Sequence, residues 1–399
     1  MKQKVAETID LHAVNVRTLV AGKGGDSRVQ YDRDRYIKAS WNRCLNEYGL
    51  VPESSGESVH LGRSDFEDRR EQHSQLLRIA RMEMRSLYEQ IARSHYVLLL
   101  IDVYGLVLER ICDPEYDKVF RSVGLAPGYF WDEQHQGTNG PGTCLHERRP
   151  LTVHRDEHFF SDYSGLSCSA APIWAADGSL LGVLDASVFG CTDSRPSQVH
   201  TVALVTMSAR IIEQITFFNS LKDCWIMRLN SRAEHIGMVH DALLAIDVEG
   251  RICGADSTAP GLLGLSGHDE LLGHCVDEIF ALSLSDFFNH GRAAACKVWL
   301  VNKLVDGRRY FTILRPPRRR SDISLSTPAG AKVQHEHERR CDSACGERDP
   351  AMAYNMWCAE QVVDKSINIL LQGETGTGKE LIARAIHERS GRSDRALVK

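Results

Sequence analysis

Residues 367–390 read INILLQ, GETGTGKE, LIARAIHERS: a short apolar run, a glycine-rich turn and a helical pattern. A phosphate-binding loop requires that order, which commits this part of the sequence to an α/β layer with a buried parallel strand. Gly373, Gly376 and Gly378 let the backbone amides curl around phosphates, with Glu374, Thr375 and Thr377 between them. Lys379 reaches the outer phosphates, and the helix N-terminus adds a favourable dipole. The residue after the lysine is Glu380, where the general motif has a Ser or Thr that holds Mg²⁺. A nucleotide-binding domain needs far more chain than the last thirty residues, so the main work of a 399-residue sequence lies upstream.

That length implies roughly two to four domains at ~100–200 residues each. Lys and Arg total 48 against 53 Asp and Glu, a formal charge of −5, so no global basic field recruits nucleic acid. The first residues, MKQKVAETIDLH, lack the apolar core of a signal peptide. The longest apolar stretch, VLLLIDVYGLVL at 97–108, is interrupted by Asp102 and is too short to span a bilayer. The 12 cysteines are scattered, which reads as reduced thiols in a cytoplasm without membrane association.

The organisation changes along the chain. Residues 1–94 read as a helical N-terminal arm: Tyr36, Ile37, Trp41, Cys44 and Leu45 recur at helical spacing, and Leu76, Leu77, Ile79, Met82, Met84, Leu87 and Ile91 fall mostly on one broad face. From 95 to 198, two strand–turn–strand units turn at Tyr104-Gly105 and at Asp177-Gly178. They flank a loop-rich insert, WDEQHQGTNGPGTCLHERRPLTVH, and suggest an α+β sensor module with a central pocket. HTVALVTMSARIIEQITFFNSLKDCWIMRL, 200–229, has no Pro or Gly and reads as one long helix within a connector at 199–234. Such a helix pairs with its copy in a dimer or packs on its own domain; the pattern leaves both open. Residues 235–315 repeat the strand–turn–strand theme around Glu249-Gly250 and close with GRRYFTILRPP. Residues 316–347 are polar and charged, a linker; within it PRRRS, the strongest basic run, reads as a solvated face. Residues 348–399 carry the phosphate loop.

GETGTGKE, with Glu in the last place, resembles the loop of the bacterial sigma-54-dependent transcription activators, AAA+ ATPases that remodel the promoter complex. GERDPAMAYNMWCAEQVVDKSINILLQ is similar to the start of that ATPase domain. GTNGPGTCL, RPLTVHRDEHF, LSCSAAPI and DGSLLGVLDAS resemble the GAF sensor domain of the acetoin-catabolism regulators, and SWNRCLNEYGL is similar to their N-terminal segment. The 235–315 module looks like a PAS domain. The resemblance therefore implies GAF and PAS sensor modules behind a helical arm, followed by the first strand, loop and helix of an AAA+ domain. In the complete family protein it further implies ATP with Mg²⁺, and sigma-54 RNA polymerase and DNA as partners. The family's acidic Mg²⁺-binding segment, its GAFTGA loop, its arginine fingers and its helix-turn-helix do not occur within these residues, so the sequence reads as truncated just after the phosphate loop and is not expected to hydrolyse ATP.

The expected function is the sensory half of such a regulator, binding a small acetoin-like metabolite and dimerising through the arm and the connecting helix. A free-standing ligand-binding or dimerisation module that inhibits intact relatives is the alternative. Trp131, Asn139, Cys168 and Ser169 are the candidate effector contacts, with turn and packing roles as the competing reading. GTNGPGT lacks the lysine and the following helix pattern of a phosphate loop, and so reads as a turn at the pocket rim. No metal is expected in the sensor module; His335, His337, Cys341 and Cys345 in the linker have ligand types that suit tetrahedral Zn²⁺ but no apolar shell around them.

Overall fold

The computed structural model describes residues 12–21, 33–91, 95–190, 194–293, 297–317 and 379–388. The chain divides into two units, Met1–Ile323 and Ser324–Lys399. In the second unit only the helix Lys379–Glu388 is described; it begins at the lysine of the phosphate loop, as the sequence order predicts. Gly373 to Gly378 and the His335, His337, Cys341, Cys345 group lie outside the described residues.

The first unit opens with helices. After α1 (12–20) come α2 (Arg33–Asn42), which runs into a π-helical turn at Arg43–Glu47, then α3 (Arg63–Gln72) and α4 (Ser74–Ile91). α4 is amphipathic in the predicted sense: Leu76, Leu77, Ile79, Met84, Leu87 and Ile91 are buried, and each such side chain contributes about 1.5–3 kcal/mol. Met82 departs from the expected face and is 76% exposed.

Five antiparallel strands follow: β1 (Tyr96–Ile101), β2 (Val107–Ile111), β3 (Leu151–His154), β4 (Leu166–Trp174) and β5 (Leu180–Phe189), in sheet order β2-β1-β5-β4-β3. Both expected hairpins are present. The first turns because Asp102 Oδ1 accepts hydrogen bonds from the Tyr104 and Leu106 amides, both at 2.9 Å, and Gly105 takes φ +87°. Side chains alternate between the two faces of the sheet. Leu98, Leu100, Leu184, Ala186 and Ile173 pack toward α4, whereas Val97, Leu99, Ile101, Val183, Cys168 and Ala170 pack toward the helical arm and the insert between β2 and β3. The insert carries α5 (Asp117–Ser122), α6 (Glu133–Gln136) and α7 (Gly140–Glu147).

α8 (Arg195–Ser220) starts at a capping box in which Ser194 and Ser197 bond each other's amides. By length and composition it is the one helix among the described residues apolar enough to cross a membrane. Here Val205, Ala209 and Ile212 join the core it shares with α4 and the first sheet. The helix expected over 200–229 ends at Ser220, and Trp225–Asn230 is a strand, β6. The reason is tertiary: β6 is the central strand of a second sheet with five of its six residues buried, and Trp225 and Ile226 put apolar side chains on both faces. Only Met227 to Asn230 alternate, too short a run to mark a strand beside a long helical pattern.

That second antiparallel sheet has the order β8-β7-β6-β10-β9, with β7 (Ala242–Ile246), β8 (Ile252–Ala255), β9 (Trp299–Asn302) and β10 (Arg309–Arg315). The β7–β8 turn repeats the chemistry of the first hairpin: Asp247 Oδ1 accepts from the Glu249 and Arg251 amides and Gly250 takes φ +87°. One face is covered by α9 (Ala259–Leu263), α10 (Val276–Ile279) and α11 (Leu284–Ala293) around Trp225, Phe280 and Phe287. The other face, Ile226, Leu243 and Ala245, packs on Phe217 at the end of α8. α8 is thus shared by the two sheets.

Candidate functional site

The residues singled out in the insert converge on α7, which the sequence reading took for a turn. GPGTCLHE is a helix because Asn139 caps it: Oδ1 accepts from the Gly142 amide at 2.8 Å while Nδ2 donates to the carbonyl oxygens of Gly137 (2.8 Å) and Asp132 (3.3 Å). Pro141 in the first turn has no amide to waste. The two glycines are set by close approach. A Cβ on Gly142 would meet the Glu133 amide at 2.7 Å, and one on Gly140 would meet Cys168 Cβ at 2.4 Å and Asp185 Oδ1 at 3.0 Å. All polar atoms of the Asn139 side chain are therefore engaged in the fold. Asn139→Ala is expected to lower unfolding free energy by about 1–3 kcal/mol, from a lost cap and an unpaired Gly137 carbonyl, read as a lower urea midpoint at unchanged slope. The Asp132 carbonyl oxygen still accepts from the Gln136 amide.

Trp131 is fully buried; its Nε1 donates to the Gly124 carbonyl oxygen at 2.8 Å and its ring lies 5.2 Å from that of Tyr163. With Phe159 and Phe160 these rings form an aromatic wall on the arm side of the first sheet. Cys168 and Ser169 are neighbours on β4 and so face opposite ways. Cys168 points to the aromatic side, 3.4 Å from His158 Nε2. Ser169 points to α8, where its hydroxyl donates to Gln198 Oε1 at 2.8 Å. Three of the four candidates thus share one side of the sheet, and Ser169 is on the other.

Two further groups, outside the four candidate effector contacts, complete this interior. His158 is fully buried, and burial pulls its imidazole down to about 4, so it is neutral near pH 7. The Arg155 carbonyl oxygen, 2.9 Å from Nδ1, can only accept, which puts the proton on Nδ1 and leaves Nε2 to accept from the Cys168 thiol. Asp185 on β5 is also fully buried, and burial raises its carboxyl to about 7. Oδ2 accepts from the Ser187 hydroxyl at 2.6 Å, but Oδ1 has no hydrogen-bond partner. Burial, and then the charge of Asp185, hold the Cys144 thiol of α7 well above its ordinary range. The interior thus presents one unpaired carboxyl oxygen beside Gly140, Cys168 and Cys144, close to a neutral imidazole. Among the described residues, no group of three or more His, Cys, Asp or Glu side chains has a metal-binding arrangement.

The arm closes this interior from outside. Arg43 donates to both carboxylate oxygens of Glu133, Nε to Oε2 at 2.8 Å and Nη2 to Oε1 at 2.9 Å, and Nη1 reaches Glu147 at 3.1 Å. Ser40 donates to Glu133 Oε1 at 2.6 Å and sits 2.7 Å from the Thr138 hydroxyl. Burial opposes the charge on Arg43, but its bonds to Glu133 and Glu147 win and keep the guanidinium charged. Trp41 Nε1 donates to the Glu157 carbonyl oxygen at 2.9 Å.

α8 carries contacts from this interior to the second sheet. Near its start, Gln198 accepts from Ser169 and donates to the Tyr96 hydroxyl. Toward its end, the buried Glu213 accepts from the Ser257 amide at 2.7 Å, with burial raising its carboxyl to about 7. Beside Glu213 lies an open cleft of about 490 Å³ lined by Arg149, Trp174, Arg210 and His268.

Two family descriptions match the chain: "MimR, N-terminal domain" over residues 45–215, and "Sigma-54 interaction domain" over residues 346–399. The chain is 32% identical over 363 residues to the acetoin catabolism regulatory protein of Cupriavidus necator, covering 90% of this chain and 53% of that protein. It is 24% identical over 396 residues to the signal-transduction and transcriptional-control protein of Clostridium beijerinckii, covering 92% and 59%. It is also 24% identical over 361 residues to the acetoin dehydrogenase operon transcriptional activator AcoR of Bacillus subtilis, covering 89% and 52%. The chain spans about half the length of the curated relatives it matches. A regulatory region with two antiparallel sheets, followed by the start of a sigma-54 interaction domain, places the chain in the family of sigma-54-dependent transcriptional regulators of the acetoin-catabolism type.

Proposed function

We propose that the two sheets are a GAF-like and a PAS-like sensor module, and that the interior beneath α7 takes a small neutral effector carrying a hydroxyl and a carbonyl or a second hydroxyl, of the acetoin type. One observation carries this reading: Asp185 Oδ1 is fully buried and has no partner. A buried polar atom left unpaired costs about 1–3 kcal/mol, and a ligand hydroxyl removes that cost on binding. The Cys168 sulfur, oriented by its thiol's bond to His158, supplies a further weak acceptor, and Trp131, Phe159 and Tyr163 the apolar wall. Asn139 acts by holding α7 over the site, and Ser169 by linking β4 to α8.

Effector binding shifts α7 and the arm against β4 and β5, and α8 passes that shift to the second module through Glu213. In a complete cytoplasmic regulator the response reaches an AAA+ domain that binds ATP and Mg²⁺ through Gly373 to Glu380 and engages sigma-54 RNA polymerase at DNA. The regulatory part acts as a homodimer through the helical arm and α8, whose Val199, Met207 and Ile215 are 63%, 45% and 40% exposed.

Titration calorimetry with acetoin and related vicinal diols tests the site. Saturable binding is expected, weakened about tenfold in Asp185→Leu, the equivalent of one hydrogen bond of about 1.4 kcal/mol. Absence of heat with every one of these compounds sinks the effector assignment.

A further inference from the structure

Cys224 and Cys253 have no part in the sensor site. Their sulfurs are 3.2 Å apart, inside normal sulfur–sulfur contact, although the residues are 29 positions apart in sequence. Cys224 immediately precedes β6, in the turn that follows α8, and Cys253 is the second residue of β8. The strand between them, β7, is bridged because the α8–β6 turn folds over the outer face of the sheet. Leu221 and Cys224 pack there on Ala245, and a Cβ on Gly254 would meet Leu221 Cδ1 at 2.7 Å. Cys253 is exposed and Cys224 half-buried, so a small reagent can reach the pair. Closing the gap to a disulfide of about 2.05 Å takes little more than 1 Å of movement.

We propose that Cys224 and Cys253 form a reversible disulfide that fastens the α8–β6 turn to β8 in response to oxidised low-molecular-weight thiols. The thiolate of one cysteine attacks the oxidant disulfide, forming a mixed disulfide and releasing one thiolate. The second cysteine then attacks the mixed disulfide at the protein sulfur and releases the other. Two protein thiols are oxidised by two electrons, one oxidant disulfide is reduced to two thiols, and the two protein protons leave with them. Burial, then the adjacent Cys224 and Asp247, hold the Cys253 thiol up at about 12, so the reduced pair persists as a dithiol near neutral pH and oxidises slowly. Disulfides in a reducing compartment are chiefly of this transient, responsive kind. The bond ties the end of the shared helix to the second sheet, at the step where a signal passes between the modules.

The test uses the full chain, reduced, freed of reductant and equilibrated with glutathione at set ratios of disulfide to thiol, then acid-quenched, alkylated and peptide-mapped. The expected result is loss of two alkylatable thiols as one peptide pair joining Cys224 to Cys253, reversed by dithiothreitol. Cys224→Ser and Cys253→Ser should each abolish that link and leave the remaining cysteine as a glutathione adduct, with far-ultraviolet circular dichroism unchanged. A pair that stays fully alkylatable at oxidising ratios overturns the proposal. So does a link that survives either substitution or joins Cys224 and Cys253 to other cysteines in comparable yield.

Discussion

Arg43→Met is expected to lower the unfolding free energy by about 3–5 kcal/mol, measured by urea denaturation at pH 7. Arg43 and Glu133 have side-chain exposures of 9% and 3%, so the substitution leaves a carboxylate in the interior with only the Ser40 hydroxyl facing it. The cost is that of an uncompensated buried charge rather than the worth of the pair, and this makes a second variant informative. Replacing both residues in Arg43→Met/Glu133→Leu removes both charges and should recover most of the loss, giving a coupling of at least 2 kcal/mol in the double-mutant cycle. Glu147, at 22% exposure, meets solvent and should couple to Arg43 more weakly. The lesion is local as well: amides of α2 and α7 should exchange faster than those of β6 and β7. Additive single effects, each below about 1 kcal/mol, are the result that contradicts a charge-clamped arm.

The sequence made the hairpins legible because each combines apolar runs with an Asp-containing turn and a glycine at positive φ, as at Asp102 with Gly105 and Asp247 with Gly250. It hid β6 because WIMRLN is covered on both faces and its period of two is confined to the last four residues, directly after a long helical pattern. It hid α7 because two glycines and a proline argue against a helix when read alone. Their meaning lies in a cap at Asn139 and in close approach to Glu133, Cys168 and Asp185. Trp131 and Cys168, candidates from the sequence, lie in the interior proposed for the effector, whose Asp185 and His158 were not among those candidates. Asp185 had a usable signal, since VLDASV places a carboxylate inside an otherwise apolar strand. The Arg43–Glu133 clamp had none: its two members are 90 residues apart and only the fold joins them.

Asp185→Asn should make the chain more stable at pH 8 and leave it nearly unchanged at pH 4, the pattern of a functional group held at a cost to the fold. Burial raises the Asp185 carboxyl from 3.8 to about 7, so the folded state favours the protonated form. The stability this contributes is fully present below the unfolded value near 3.8 and is lost as pH rises through about 7. Asparagine does not titrate, so the variant gains on wild type across that window and the gain levels off above it. A shift of about three pKa units sets an upper limit of about 4 kcal/mol, and about 2–4 kcal/mol is expected at pH 8. Glu213 and Asp256, raised to about 7 and about 6 mainly by burial, titrate in the same range but identically in both proteins, so the difference curve isolates Asp185. His158 works in the opposite sense. Its imidazole is lowered to about 4, so its contribution is present above the unfolded value of 6.5 and is lost as pH falls through about 4. Acid should therefore destabilise both proteins alike, while alkali separates them. Unfolding free energies that differ by the same amount at pH 4 and pH 8 would mean that Asp185 has an ordinary carboxyl, and the unpaired oxygen would then lose its significance for the sensor site.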